Sequence, residues 1–185
     1  MPSIDIDFLS KLQDDKTKYS YFIETGTYNG DTIFSLEPYF DKLYTIEFSE
    51  KYYNNTKEKY DGNKINFILG DSSIVFENLL PTITDNCIFF LDAHWSGDDT
   101  GRSNKDVPLE EEITAINNFY KNNAIIIIDD YRLFGSNRYR KKGEDWSKIS
   151  KDRLLTILSS RISKVYHLDS LICKDDRLII HIHAI

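Results

Sequence analysis

The chain reads as an α/β fold, a doubly wound, mostly parallel sheet of seven strands with helices on both faces. Three observations predict it. Strand-like and helix-like segments alternate along the chain until two strands close it, which is how parallel sheets with crossover helices are written in sequence. Two runs, CIFFL at residues 87–91 and AIIII at 124–128, are apolar throughout, as strands covered on both faces must be. A glycine turn, Glu24-x-Gly26-x-x-x-Gly30, lies between a short apolar strand and an apolar-periodic helix.

The elements follow in order. Ile4, Phe8, Leu9 and Leu12 fall on one helical face, so residues 1–18 read as a helical lead-in to a single domain covering residues 1–185. The first strand, Tyr21-Phe22-Ile23, enters the glycine turn, and Pro38 ends the helix beyond it. Residues 42–47 form a second strand. Ser49 is the expected cap of a helix over EKYYNNTKEKY. After the turn at Asp61-Gly62-Asn63 comes a third strand, residues 65–69. Ser72 or Ser73 should then cap a helix that Pro81 stops.

The CIFFL strand is followed by Asp92-Ala93-His94-Trp95 and a polar loop. Pro108 should occupy the first position of the next helix, with Glu110, Glu111 and Glu112 in its positive first turn. The AIIII strand ends in Asp129-Asp130-Tyr131. Residues 146–162 read as a helix. Strands at 164–168 and 177–185 close the chain as a hairpin-like pair, the last antiparallel to its neighbours, with His181 and His183 on one face as structural residues.

Composition narrows the function classes. At 185 residues with 41% hydrophobic content, the chain can bury a core of its own. A net charge of −7 argues against nucleic acid as a partner, since phosphate contacts need a basic surface. No run is long enough for a membrane span, and the acidic N-terminus lacks the features of a signal peptide. The cytoplasm is therefore the expected compartment. Cys87 and Cys173 both sit in apolar surroundings in the sequence and read as buried, reduced thiols.

Five successive strands deliver an acid at or near their carboxyl ends: Glu24, Glu47, Asp71, Asp92 and the Asp129-Asp130 pair. In open α/β sheets, ligands bind at that edge. Converging carboxylates repel phosphates and favour hydroxyls and cations. Glu47 is placed to accept from a ribose diol. Asp71 is placed to accept from an adenine amino group, with the Ser72 N–H on the ring and Phe48 against its face. Asp92, Asp129 and Asp130 offer oxygens of the kind a hard divalent cation takes.

The spacing Glu24-x-Gly26-x-x-x-Gly30 departs from the dinucleotide fingerprint G-x-G-x-x-G. Together with Glu47 and Asp71 it resembles the cofactor half of class I S-adenosylmethionine-dependent methyltransferases, whose sheet is Rossmann-like. The resemblance covers about residues 20–130. It implies S-adenosylmethionine held by Glu24, Gly26, Thr27, Gly30, Thr32, Glu47, Phe48, Asp71 and Ser72. The second half resembles the magnesium-dependent sugar O-methyltransferases of the macrocin O-methyltransferase type. Their fourth strand ends in Asp-x-Asp and their fifth in Asp-Asp-Tyr, where this chain has Asp92-Ala93-His94 and Asp129-Asp130-Tyr131. It also resembles catechol O-methyltransferase, in which Asp-His-Trp follows the corresponding strand.

These likenesses imply Mg2+ or another divalent cation on Asp92, Asp129 and Asp130. His94 stands where the sugar enzymes have their acidic base, and imidazole accepts a proton near neutral pH. Asp92 and His94 are thus the expected catalytic residues. The implied acceptor is a sugar, a glycan or another small-molecule hydroxyl, and a homo-oligomer is compatible with the sequence. Two rival readings remain: a catechol or phenol methyltransferase, and a cofactor-binding partner subunit without catalysis. The loops at residues 95–107 and 132–146, the latter carrying Arg138, Arg140, Lys141 and Lys142, would select the acceptor.

Overall fold

The structure, a computed structural model, describes residues 3–94, 107–136 and 145–185. Seven strands form one sheet: β1 (Tyr21–Thr25), β2 (Lys42–Glu47), β3 (Ile65–Leu69), β4 (Cys87–Leu91), β5 (Ala124–Ile128), β6 (Ile162–Leu168) and β7 (Arg177–Ile182). Their order is β3-β2-β1-β4-β5-β7-β6. The first five strands are mutually parallel, and β7 runs antiparallel to both β5 and β6. The order reverses between β1 and β4, so the chain leaves both strands at a common crevice.

Among the described residues, six α-helices accompany the sheet: α1 (Ile6–Leu9), α2 (Asp31–Leu36), α3 (Glu50–Lys57), α4 (Ser72–Leu79), α5 (Leu109–Phe119) and α6 (Lys151–Ile157). Alternation along the strands sorts the core into two layers. Ile23, Phe89, Ile126 and Ile180 face Phe76 of α4, Ile113 and Ile116 of α5 and Leu154 of α6. Phe22, Ile88, Ile125 and Ile179 face Ile33 of α2 together with Ile4, Phe8 and Leu9 of the lead-in. Strands β4, β5 and β7 are buried over their whole length, as an inner strand covered on both faces must be.

Several local expectations are revised. The lead-in keeps Ile4, Phe8, Leu9 and Leu12 buried, but only one helical turn forms, capped by Asp5. The helix expected over residues 146–162 shrinks to α6. Ser150 caps it with its hydroxyl, while Trp146 and Ile149 lie ahead of it and offer their carbonyls to the N–H of Gly135. Asp71, not a serine, caps α4 by accepting from the Ser73 N–H. Ser49 holds the cap position of α3 but its side chain does not make the capping bond, and Pro108 stands at the cap of α5 instead of inside it. Cys87 is buried, but Cys173 lies half-buried in the turn between β6 and β7. His181 is buried against the Tyr166 hydroxyl, whereas His183 lies beyond β7 and is exposed.

One buried cation went unforeseen. Arg161 is 1% exposed, and its guanidinium donates to the carbonyls of Ile116 and Tyr120 at the end of α5, and to Asn122 and His183. It closes the carboxyl end of that helix, where orphan carbonyls and the helix dipole favour a positive charge. Among the described residues, no helix is long and apolar enough to cross a membrane.

Candidate active site at the carboxyl edge of the sheet

The turn after β1 is built from two glycines in the left-handed region. Gly26 has φ +87°, and a Cβ there would sit 2.6 Å from the carbonyl oxygen of Asp92. Only glycine lets the β1 turn lie flat against the end of β4. Gly30 has φ +80°, and a Cβ would meet Thr56 of α3 at 2.5 Å. The glycine spacing thus has a packing cause at each end.

The carboxylates on this half are held by neutral donors. Glu24 is fully buried and accepts from the Thr45 hydroxyl at 2.7 Å, and Thr45 in turn meets the Thr27 hydroxyl at 2.5 Å. Burial pushes the Glu24 carboxyl up to about 8, against the pull of the Thr45 bond. Glu47 accepts from the backbone N–H of Tyr28 at 2.9 Å through one oxygen and of Ser49 at 2.8 Å through the other. Its orientation is therefore set by two backbone donors, while each oxygen keeps a second lone pair. Asp71 accepts from both the N–H and hydroxyl of Ser73. Phe48 is 42% exposed beside Glu47. Ser72 turns its hydroxyl inward to Glu112, at 2.5 Å. Thr32 is buried, and its hydroxyl accepts from the Ser3 N–H. The lead-in thus takes one lone pair of this hydroxyl, whose own O–H can still donate.

Tyr28 was not foreseen. It adopts φ +47°, an uncommon conformation for a bulky residue, and its ring is 53% exposed beside Tyr52 at 4.7 Å. Its N–H and carbonyl are bonded to Glu47 and Thr56, which fixes the strained loop.

On the other half the acids are held by cations. His94 points Nδ1 at Asp92 Oδ1 (3.5 Å) and Nε2 at Asp130 Oδ2 (3.4 Å). The Trp146 ring lies edge-on to the imidazole at 5.3 Å. Asp130 has φ +58° and is 9% exposed; Arg132 reaches its Oδ1 at 2.5 Å and also contacts Asp176. Arg177 contacts Asp129 at 3.2 Å and donates to the Ser3 carbonyl. Burial, with Asp92 nearby, pushes the Asp129 carboxyl up to about 6, although Arg177 opposes it. Burial also raises Asp130, while burial of Asp176 is outweighed by Ser170 and Arg132, which hold that carboxyl below the ordinary range.

The expected triad of Asp92, Asp129 and Asp130 is therefore re-sorted. Asp92, His94 and Asp130 bring ligand atoms within 4.8 Å of one another, and so do Asp129, Asp130 and Asp176. Asp130 belongs to both groups. A divalent cation fits the two carboxylates of the first group by donor chemistry, since a hard ion takes oxygen ligands, with the imidazole beside them. Arg132 would have to yield its hold on Asp130. Asp176 was missed because it precedes the last strand, 44 residues from Arg132, with no motif around it.

A small cleft lies between these groups, lined by Asp92, His94, Glu112, Asp129 and Trp146. Glu112 is 1% exposed, and burial pushes its carboxyl up to about 7 against bonds from the Ser72 and Thr25 hydroxyls. The sequence placed it among first-turn acids that suit a helix dipole. Its inward orientation depends on tertiary packing. Apart from residues 107, 132–136 and 145–146, the two acceptor loops, with Arg138, Arg140, Lys141 and Lys142, lie outside the described residues.

Several solved structures share this architecture. The O-methyltransferase TomG from Streptomyces achromogenes, in complex with SAM, superposes with a TM-score of 0.64 at 15% identity, covering 91% of this chain and 74% of that one. The fibrillarin/Nop5p complex gives 0.61 at 15% identity, covering 97% and 79%. Magnesium protoporphyrin IX methyltransferase (ChlM) from Synechocystis PCC 6803, with bound SAH, gives 0.58 at 14%, covering 91% and 75%. The fold is that of a Rossmann-like methyltransferase. The expected antiparallel last strand is present in this fold, with β7 between β5 and β6. No family model and no curated protein matches the sequence.

Proposed function

We propose that the chain is an S-adenosylmethionine-dependent O-methyltransferase acting on a hydroxyl of a sugar or glycan, with a divalent cation assisting. The observation that carries this reading is the position of His94. Its imidazole stands between Asp92 and Asp130, in a cleft that begins where the Gly26 turn touches Asp92. A methyl donor seated on that turn and a hydroxyl in that cleft would meet beside a proton acceptor.

Each residue then has a role. Glu47 binds the ribose diol with its remaining lone pairs, Asp71 and the Ser72 N–H take the adenine edge, and Phe48 covers the ring. Glu24, Gly26, Thr27 and Gly30 shape the seat of the amino-acid end. Thr32, which accepts from Ser3, can still donate its O–H to that end. Asp92 faces Nδ1 of His94 and favours the tautomer with its proton there, leaving Nε2 to take the acceptor's proton. Asp130, on the Nε2 side, stabilises the imidazolium that forms. The acceptor oxygen then attacks the sulfonium methyl in line, and positioning supplies most of the acceleration. Asp92 and Asp130, with Asp129 adjacent, would hold a divalent cation, whose contribution when bound is to lower the pKa of a coordinated hydroxyl.

The test is transfer of a labelled methyl group from S-adenosylmethionine to a panel of sugars, glycans and catechols, with and without chelator. The reading predicts product on a sugar hydroxyl and loss of turnover in chelator. Undiminished turnover in chelator removes the metal from the mechanism. Transfer only to catechols replaces the acceptor class, and cofactor binding without transfer to any acceptor makes the chain a binding subunit.

A further inference from the structure

Glu112 stands apart from the other acids of the cleft. Asp129 faces Arg177 and Asp130 faces Arg132, so both have a cationic neighbour, and Asp92 faces the His94 imidazole. Among the described residues, the partners of Glu112 are the hydroxyls of Ser72 and Thr25, which orient the carboxyl but carry no charge. Those two residues are themselves informative. Thr25 immediately precedes Gly26, and its hydroxyl lies 3.4 Å from the Asp92 N–H. Ser72 immediately follows Asp71. Glu112 is therefore tied to the three strand ends that bound the crevice, those of β1, β3 and β4, while lining the cleft between β4 and β5.

Resting on the function proposed above, we infer that Glu112 is the residue by which this site distinguishes the charged methyl donor from its spent product. The donor carries a sulfonium cation, and the product left after transfer is a neutral thioether with otherwise the same groups. A carboxylate near the sulfur, in a site shielded from water, attracts the first and is indifferent to the second. Its hydroxyl partners bring no compensating charge, so burial lets the carboxyl keep a proton near neutral pH, and a cationic donor beside it would favour releasing that proton. The preference would favour exchange of product for fresh donor after each turnover. Glu24 cannot make this distinction on the same terms. It lies on the opposite face of the sheet beside Thr45 and Thr27, where the amino-acid end common to both forms would sit.

The test is calorimetric titration of S-adenosylmethionine and S-adenosylhomocysteine into the full chain and into Glu112→Gln, which keeps the shape of the side chain. The prediction is that Glu112→Gln weakens the methyl donor about tenfold, equivalent to ~1.4 kcal/mol, while the affinity for the thioether stays within twofold. A merely structural role would weaken both ligands together, and that result overturns the inference, as does an unchanged ratio. If Glu112→Gln does not fold, Glu112→Asp withdraws the carboxylate by one methylene. The donor-to-product preference must then shrink, and an unchanged ratio again overturns the inference. If the unmodified chain binds neither compound, it is the proposed function that fails, and this inference fails with it.

Discussion

The two halves of the sheet's carboxyl edge hold their acids differently. On the β1–β2–β3 side, Glu24, Glu47 and Asp71 are held by hydroxyls and backbone N–H groups. On the β4–β5 side, Asp92, Asp129 and Asp130 face His94, Arg177 and Arg132. Neutral donors orient a carboxyl and bring no compensating charge, which suits the hydroxyls and amino group of the proposed cofactor, while burial keeps Glu24 protonated near neutral pH. Cationic neighbours cancel the charge but can give up a proton or release their partner. The second half is thus prepared for proton transfer and for exchange of one cation for another. In the proposed function, binding belongs to the first half and chemistry to the second.

The largest effect should come from the compensated half. His94→Ala is predicted to lower turnover by roughly 10²–10⁴-fold, the usual contribution of a general base, with cofactor affinity unchanged in a binding assay. A variant with full turnover would assign the proton to another group.

Gly26→Ala breaks the contact that joins the halves. The added Cβ would meet the Asp92 carbonyl at 2.6 Å in a conformation alanine resists. A loss of about 1–3 kcal/mol in denaturant unfolding is expected, together with loss of cofactor binding. Asp176→Asn is subtler. Arg132 would lose one of its two carboxylate partners and shift towards Asp130. Turnover should fall several-fold and its dependence on divalent cation should steepen, with cofactor affinity unmoved.

Stability against pH gives a readout independent of turnover. Glu24 and Glu112 are raised to about 8 and about 7, from ordinary values near 4.5. Both acids therefore hold protons in the fold that the unfolded chain releases. Their contribution is complete below about pH 4.5 and is lost as pH rises to about 7–8, with a slope of up to ~1.4 kcal/mol per pH unit for each group. Glu24→Gln should flatten the upper part of that slope in thermal melts recorded between pH 5 and 8.

What could be read in advance follows the same division. Strands β2 to β5 were legible to their end residues because each is an apolar or alternating run closed by turn residues or an acid. The glycine turn was legible because only glycine tolerates both its conformation and its packing. The helix before β6 was overdrawn because the apolar periodicity of residues 146–162 mixes core anchors with helix. Trp146 and Ile149 are buried as loop residues, and Ser150 starts the helix late. Cation partners were illegible for a different reason. Arg132, Asp176 and Arg177 acquire their roles only when β7 inserts beside β5, and sequence spacing carries no trace of that contact. Glu112 was hidden by an adequate local explanation, since first-turn acids ordinarily face solvent and the dipole alone accounts for them.

The central claim is that binding and chemistry are separable along one sheet edge, and a paired titration tests it most directly. S-adenosylmethionine is titrated into the unmodified chain, Glu47→Ala and His94→Ala, with labelled methyl transfer followed in parallel. The account predicts that Glu47→Ala loses cofactor binding, whereas His94→Ala binds as the parent does and fails to transfer. Loss of binding in His94→Ala equal to that in Glu47→Ala, or full binding in Glu47→Ala, would contradict it.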